Sequence, residues 1–286
     1  MQRSAVRTSL PKASDRYALG KSGLQVSPIC LGITTRETVK AAFDAGINFF
    51  FISNDLHWSL YAPLMAGVND LLESGVRRDD IVICGVSYLS EPIFAYLQFN
   101  ELLAAMPRLE RVDVLLAGAA ELGDFLPRYR SLHKARAEQL WQCRGIGASF
   151  HDRVAARVGI CSDLIDIAYI RYNPGHPGAE EDLFPYIPTN RACLMYNFKS
   201  TSAYITESVF KRLQLTPDYK QPRITDSYRF ALMRPEMDGL LVSPQTPQQV
   251  AELVRALELG PISANKARYM KNLWLLATGQ ASIESM

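Results

Sequence analysis

The sequence predicts an α/β protein built as a closed (β/α)8 TIM barrel with a small β-hairpin at its N-terminal side. Three observations carry this: eight short apolar runs recur along the chain, stretches with helical spacing separate them, and no Pro-, Gly- or Ser-rich linker interrupts the alternation. One such barrel takes about 250 residues, and the chain has 286. Parallel βαβ units keep one hand and bury each strand on both faces, which favours closure. An open doubly wound sheet is the alternative.

The hairpin is read from RYALGKSGLQVSP, where Gly20, Gly23 and Pro28 punctuate short alternating runs. Strands are then expected at 29–33, 47–53, 80–87, 112–119, 144–150, 166–173, 192–198 and 238–243. Helical spacing places Val39 and Phe43 on one face ahead of Gly46, and does the same for Leu64, Val68 and Leu71. The last helix has the clearest punctuation. Val250, Leu253, Val254 and Leu257 form its apolar face, Thr246 can cap it, Pro247 suits its first position, Gln249 completes a capping box, and Gly260 can end it. Residues 1–16 are expected as a flexible tail, 17–275 as the single barrel, and 276–286 as a second tail.

Composition narrows the function classes. With 48% hydrophobic and 21% charged residues, the chain is neither disordered nor collagenous. A net charge of +2 leaves no electrostatic footprint for nucleic acid, and no apolar run is long enough to span a membrane. Five dispersed cysteines without a CxxC pair suit a reducing compartment. No secretory leader is visible in MQRSAVRTSLPKASDR, so a cytoplasmic location is expected; its Arg, Ser and single acid also allow an organelle transit peptide.

From about residue 17 to about residue 260 the chain resembles the aldo-keto reductase family. RYALGKSGLQVSPICLGI is similar to that family's opening hairpin and first strand, and AAFDAGINFFFIS to its second unit. RRDDIVI, LERVDVLL, CRGIGASFHD, IRYNPGHPGAEEDLFP and RFALMRPEMDGLLVSPQTPQQVAELVRAL resemble successive segments in the same order. The resemblance implies a barrel with ligands at the mouth formed by the strands' C-terminal ends. It also implies NADP(H)-dependent carbonyl reduction, in which a Tyr gives the proton, a Lys paired to an Asp lowers that Tyr's pKa, and a His orients the carbonyl.

The residues at those positions differ. Phe51 stands where the family Asp is expected, Leu56 (beside His57) where the Tyr is, Val86 where the Lys is, and Gly118 where the His is. The Ser-Asn pair that would hold a nicotinamide becomes Ser149-Phe150, and the Gln becomes Tyr169. At the phosphate end, Ser243 and Gln245 replace a Gly and a cation, with Gln249 nearby. Ser149, Ser243, Gln245 and Gln249 are the cofactor-binding candidates, and the cofactor is either none or NADP(H).

What remains near strand ends is a set of titratable and aromatic side chains. His57, Asp55, His151 and Tyr169 are the catalytic candidates, as groups able to act as general acid or base. Phe51, Leu56, Trp58, Tyr88, Phe150, Tyr172, His176 and Lys199 are the substrate-binding candidates: most would make an apolar, aromatic pocket, and Lys199 could hold an anion or form a Schiff base. Cys84, Asp152 and Glu121 fall in comparable positions, with Asp152 expected to cap a helix. Without an HxH, HExxH or cysteine cluster, no metal site is assigned.

Three functions fit these residues. The first is an enzyme that has left the family chemistry and acts on a small organic substrate, in a biosynthetic setting, by isomerisation, elimination or cyclisation. The second is an NADP(H)-dependent oxidoreductase with another proton donor, His57 or Tyr88. The third is a non-catalytic binding protein. A small molecule is the expected partner, with no nucleic acid and no membrane; the oligomeric state is undetermined.

Overall fold

The computed structural model describes residues 6–53 and 55–282. An antiparallel hairpin, β1 (Tyr17–Leu19) and β2 (Leu24–Val26), precedes eight parallel strands. These are β3 (Ile29–Leu31), β4 (Phe49–Ser53), β5 (Val82–Ser87), β6 (Val114–Ala120), β7 (Gly145–Phe150), β8 (Ile167–Arg171), β9 (Leu194–Phe198) and β10 (Gly239–Val242). They follow one another around a closed barrel, and β10 pairs with β3 through Leu240 beside Ile29. Each expected strand is present and shorter than expected, and β6 runs one residue past its expected end to Ala120. The helices are α1 (Arg36–Asp44), α2 (Trp58–Glu73), α3 (Pro92–Ala105), α4 (Phe125–Ala137), α5 (Arg153–Cys161), α6 (Ala179–Asp182), α7 (Glu207–Arg212), α8 (Ile224–Leu232), α9 (Pro247–Glu258) and α10 (Ala264–Ala277). None is long and apolar enough to cross a membrane, among the described residues.

Strand alternation sorts the aromatic run on β4. Phe49 and Phe51 point into the barrel, where Phe49 meets Tyr196 edge-on at 5.8 Å and Phe51 meets Tyr169 at 5.2 Å. Phe50, of opposite parity, is buried towards the helices. Tyr169 and Tyr196 lie 5.7 Å apart, so a column of rings fills the barrel axis.

The hairpin plugs the end at which the strands begin. Asn48, just before β4, accepts from Ser27 N–H at 2.8 Å and donates to the Gln25 carbonyl at 2.9 Å. At the turn, Gly20 has φ +52°, and a Cβ there would lie 2.3 Å from Asp166 Oδ1, so both conformation and space demand glycine. Three aspartates secure the same end. Asp113, Asp166 and Asp238 each sit one residue ahead of a strand, and each accepts a backbone N–H from the preceding strand: Ile83 at 2.7 Å, Ile146 at 2.9 Å and Met195 at 2.8 Å. Arginines complete them, Arg78 and Arg111 on Asp113, Arg136 on Asp166 and Arg191 on Asp238.

The chain ends depart from expectation. Residues 7–13, read as part of a flexible tail, lie against the barrel: Arg7 N–H donates to the Met233 carbonyl at 2.9 Å, its guanidinium reaches the Met237 carbonyl at 2.9 Å, and Leu10 and Ala13 are buried. Apolar side chains inside an otherwise polar segment are what hold it down. Residues 264–277 form α10, tied to α6 by Lys271 Nζ on Glu180 at 2.6 Å.

The α9 punctuation is as expected in kind and shifted in detail. Thr246 Oγ1 accepts from Gln249 N–H at 3.2 Å and Pro247 opens the helix, but the Gln249 side chain accepts from Gln245 N–H at 2.6 Å, one residue outside the usual capping box. Thr246→Ala should therefore cost about 1 kcal/mol, seen as a lower urea midpoint with an unchanged slope; an unmoved midpoint would mean that the Gln249 bridge holds the helix start alone.

Candidate active site at the barrel mouth

The C-terminal ends of the strands enclose a cavity of about 670 Å³, the place where barrels of this kind carry ligands. Its floor is aromatic, made by Phe51 and Tyr169. Tyr169 is wholly buried and its hydroxyl donates to Cys30 Sγ at 3.3 Å. Burial pushes its pKa well above the usual phenol range. It therefore contributes a ring to the floor, and its hydroxyl is committed below.

One wall comes from the loops after β4 and β5. Leu56, His57, Leu60, Tyr61 and Tyr88 face the cavity there. Burial, the largest influence, pushes the pKa of both Tyr61 and Tyr88 above the usual phenol value. Both stay phenols at neutral pH, and both line the cavity with an O–H able to donate. Asp55 does not line this cavity. Its carboxylate accepts from Tyr88 N–H at 2.8 Å and Ser53 Oγ at 2.8 Å, with Leu56 N–H on the same oxygen as Ser53. Three donors bind it to its own loops, so its work is positioning Tyr88.

The opposite wall comes from the ends of β7, β8 and β9. It presents Ser149, His151, Arg171, Phe198 and the run Lys199 to Ser202. His151 lies edge-on to Phe198, with ring centres 5.2 Å apart. Partial burial, then Lys199 and Arg171, push its pKa below the usual imidazole value, against Glu121. His151 is thus a neutral imidazole at pH 7, able to accept a proton. Three residues of the cavity lining, His57, Ala119 and Lys199, have φ of +66°, +50° and +56°, a left-handed conformation that costs an L-residue roughly 1–2 kcal/mol. Ala119 is held in it by a bulge in β6 and by donating its N–H to Ser149 Oγ at 2.7 Å.

Several expected site residues lie elsewhere. Trp58 is 60% exposed on the first turn of α2. Phe150 packs on Phe125 at 5.4 Å, between the barrel and its helices. Tyr172 lies between Phe184 and Phe230 and donates to Glu180 Oε1 at 2.6 Å. His176 is 3.1 Å from Asn173 Oδ1 and near Trp274. Gln245 donates to the carbonyls of Ile33 and Ser243, and Gln249 caps Gln245, so of the phosphate-end candidates only Ser243 lines the cavity. Asp152 caps α5 through Val154 N–H at 2.8 Å. Burial raises the Cys84 thiol well above its usual pKa and leaves it inert. No group of three or more metal-ligating side chains is assembled among the described residues.

Comparison with solved structures agrees with this architecture. The holo form of an aldo-keto reductase from Bacillus halodurans superposes with a TM-score of 0.72 at 14% identity, covering 91% of this chain and 96% of that one. Its apo form gives 0.65 at 17% identity, with 91% and 96% covered. A Pseudomonas aeruginosa protein described as an aldo-keto reductase gives 0.64 at 17% identity, with 87% and 96% covered. The chain has the aldo-keto reductase fold. No protein-family model matches the sequence, and no curated protein matches it.

On the aldo-keto reductase barrel, the four positions singled out by the resemblance can now be located. Phe51 is in the floor, Leu56 is 52% exposed on the rim, and Val86 is buried on β5. At Gly118 a Cβ would lie 2.6 Å from the Tyr88 ring. The Tyr88 ring thus fills the space any side chain at 118 would need. Sequence reasoning missed Tyr61 and Arg171; the signal for Arg171 was a charge closing an otherwise apolar strand, in phase with Tyr169.

Proposed function

We propose that this protein is an enzyme of acid-base chemistry, of the isomerisation, elimination or cyclisation type, acting on a small organic molecule at the barrel mouth. The observation that carries the reading is the pairing of a neutral imidazole, His151, on one wall with a phenol donor, Tyr88, on the other, above an aromatic floor. A planar or apolar substrate body rests on Phe51 and Tyr169. His151 takes a proton from carbon; the electron pair moves to a carbonyl or leaving-group oxygen, which Tyr88 stabilises by hydrogen bonding or protonates, with Tyr61 beside it on the same wall.

Hydride transfer is set aside because the residues present do not fit a nicotinamide dinucleotide. Ser149 Oγ accepts from Ala119 N–H and keeps its O–H to donate, but Phe150 faces the helices and the Tyr169 hydroxyl is bound to Cys30. Two of the three offer no carboxamide partner. Ser243, Gln245 and Gln249 are uncharged, and the last two are engaged with the chain itself.

The test is deuterium wash-in. A panel of small planar carbonyl compounds, neutral and anionic, is incubated with the protein in heavy water, and incorporation next to the carbonyl is followed by mass spectrometry. Exchange catalysed by the native protein and reduced by about 100-fold in Tyr88→Phe, the scale of losing one oxyanion donor, supports the reading. No catalysed exchange with any compound, or exchange indifferent to Tyr88→Phe and His151→Ala, overturns it.

A further inference from the structure

The mouth holds an arginine that the fold does not explain. Arg78, Arg111, Arg128, Arg191, Arg229 and Arg234, drawn into the structure elsewhere, each hold a carboxylate. Arg171 holds none: its Nε is buried without a hydrogen-bond partner, and no ion pair to it is present among the described residues. Arg191 also has an unpartnered Nε, but its Nη2 binds Asp238 at 2.6 Å and the Glu236 carbonyl at 2.7 Å. A buried guanidinium N–H left without an acceptor is costly and unusual, and here the side chain that carries it belongs to a residue lining a cavity.

Its surroundings add charge of the same sign. Lys199 lines the same wall, is likewise without a salt bridge among the described residues, and is fixed by Asn173 Nδ2 donating to its carbonyl at 2.9 Å. The Thr201 and Ser202 side chains stand beside it in the lining. Among the described residues, only uncharged or basic side chains line this cavity.

We propose that Arg171, with Lys199, anchors an oxyanion, a carboxylate or phosphate, carried by the substrate, which makes the substrates of this site small organic anions with a planar or apolar body. This rests on the acid-base reading of the mouth and adds the substrate class. The guanidinium fork suits two oxygens of one carboxylate or phosphate, Lys199 supplies a second charge, and the body of the molecule is directed over the aromatic floor towards Tyr88.

The probes are benzoate and phenyl phosphate against neutral benzamide, with inorganic phosphate and NADP as further arms, titrated calorimetrically into the native protein. Benzoate or phenyl phosphate should bind at least 10-fold more tightly than benzamide, and whichever binds better identifies the oxyanion. Arg171→Gln should weaken that binding about 10- to 100-fold, Arg171→Lys should restore part of it, and neither should unfold earlier than the native protein, because no native bond is lost. Lys199→Met is the second variant, expected to weaken binding less. Anions bound no more tightly than benzamide, or binding unchanged in both Arg171→Gln and Lys199→Met, overturns the proposal. So does Arg171-dependent binding of NADP tighter than either probe, which would give the anion to a dinucleotide. Anion binding without deuterium exchange would remove the acid-base reading and leave the anchor; exchange without anion preference would remove the anchor alone.

Discussion

His151→Ala is expected to lower kcat/KM by about 100- to 10,000-fold, the range supplied by a positioned general base, with circular dichroism and thermal unfolding unchanged because the ring sits on the rim. The pH profile sharpens the expectation. Burial and the charges of Lys199 and Arg171 hold the His151 pKa below its ordinary value. The active form is the neutral one, so kcat/KM should rise with pH through that depressed pKa and level off above it. Lys199→Met removes the larger of the two charge effects, so the imidazole titrates nearer its ordinary value and the rising limb moves to higher pH. A profile that falls over the same range, or a limb that Lys199→Met moves the other way, would take His151 out of the role of base. Since kcat/KM reports groups of the free enzyme, the comparison is unaffected by whatever the bound anion does to the imidazole.

The barrel was legible because each strand is buried on both faces and therefore reads as an apolar run with few competitors; β4 to β10 each fall inside an expected segment, apart from the last residue of β6. The site was legible only where parity was respected. Ser149 faces the mouth, so Phe150, its neighbour on the same strand, must face the helices, as its packing on Phe125 records. The same rule, with Tyr169 pointing inward, puts Arg171 at the mouth. Asp55 illustrates a second limit. A carboxylate just past a strand end satisfies nearby backbone N–H groups before it serves a substrate, and its three donors show that preference. Trp58 and Tyr61 stand three apart in α2 and so on one side of the helix, and only the docking of α2 on the barrel separates them, leaving Trp58 exposed on the first turn and burying Tyr61 one turn on. Residues 7–13 were unreadable for a different reason, since a few buried side chains in a short polar stretch leave no period to detect.

The far end of the barrel yields the largest stability effect. Asp113 is 1% exposed; it accepts from Ile83 N–H at 2.7 Å, Arg78 Nη2 at 2.7 Å and Arg111 Nε at 3.0 Å, so one carboxylate joins β5 to the start of β6 and neutralises a buried arginine. Arg78 stays fixed by the carbonyls of Leu109, Ile81 and Arg111 and cannot swing into water when its partner goes. Asp113→Ala therefore strands a buried charge and a strand N–H, and should lower the unfolding free energy by about 3–5 kcal/mol, against typical totals of about 5–15 kcal/mol. Asp113→Asn keeps an oxygen for Ile83 and should lose less. Asp79→Ala removes the other partner of Arg111, an 81% exposed carboxylate, and should cost under about 1 kcal/mol. Urea unfolding of the three variants gives the order directly, and a loss below 1 kcal/mol in Asp113→Ala would mean that water replaces the carboxylate. Asp113 lies at the opposite end of the barrel from the mouth, so at temperatures where Asp113→Asn is still folded its exchange chemistry and anion binding should equal those of the native protein; a parallel loss of both would show that the barrel transmits strain along β5 to Tyr88.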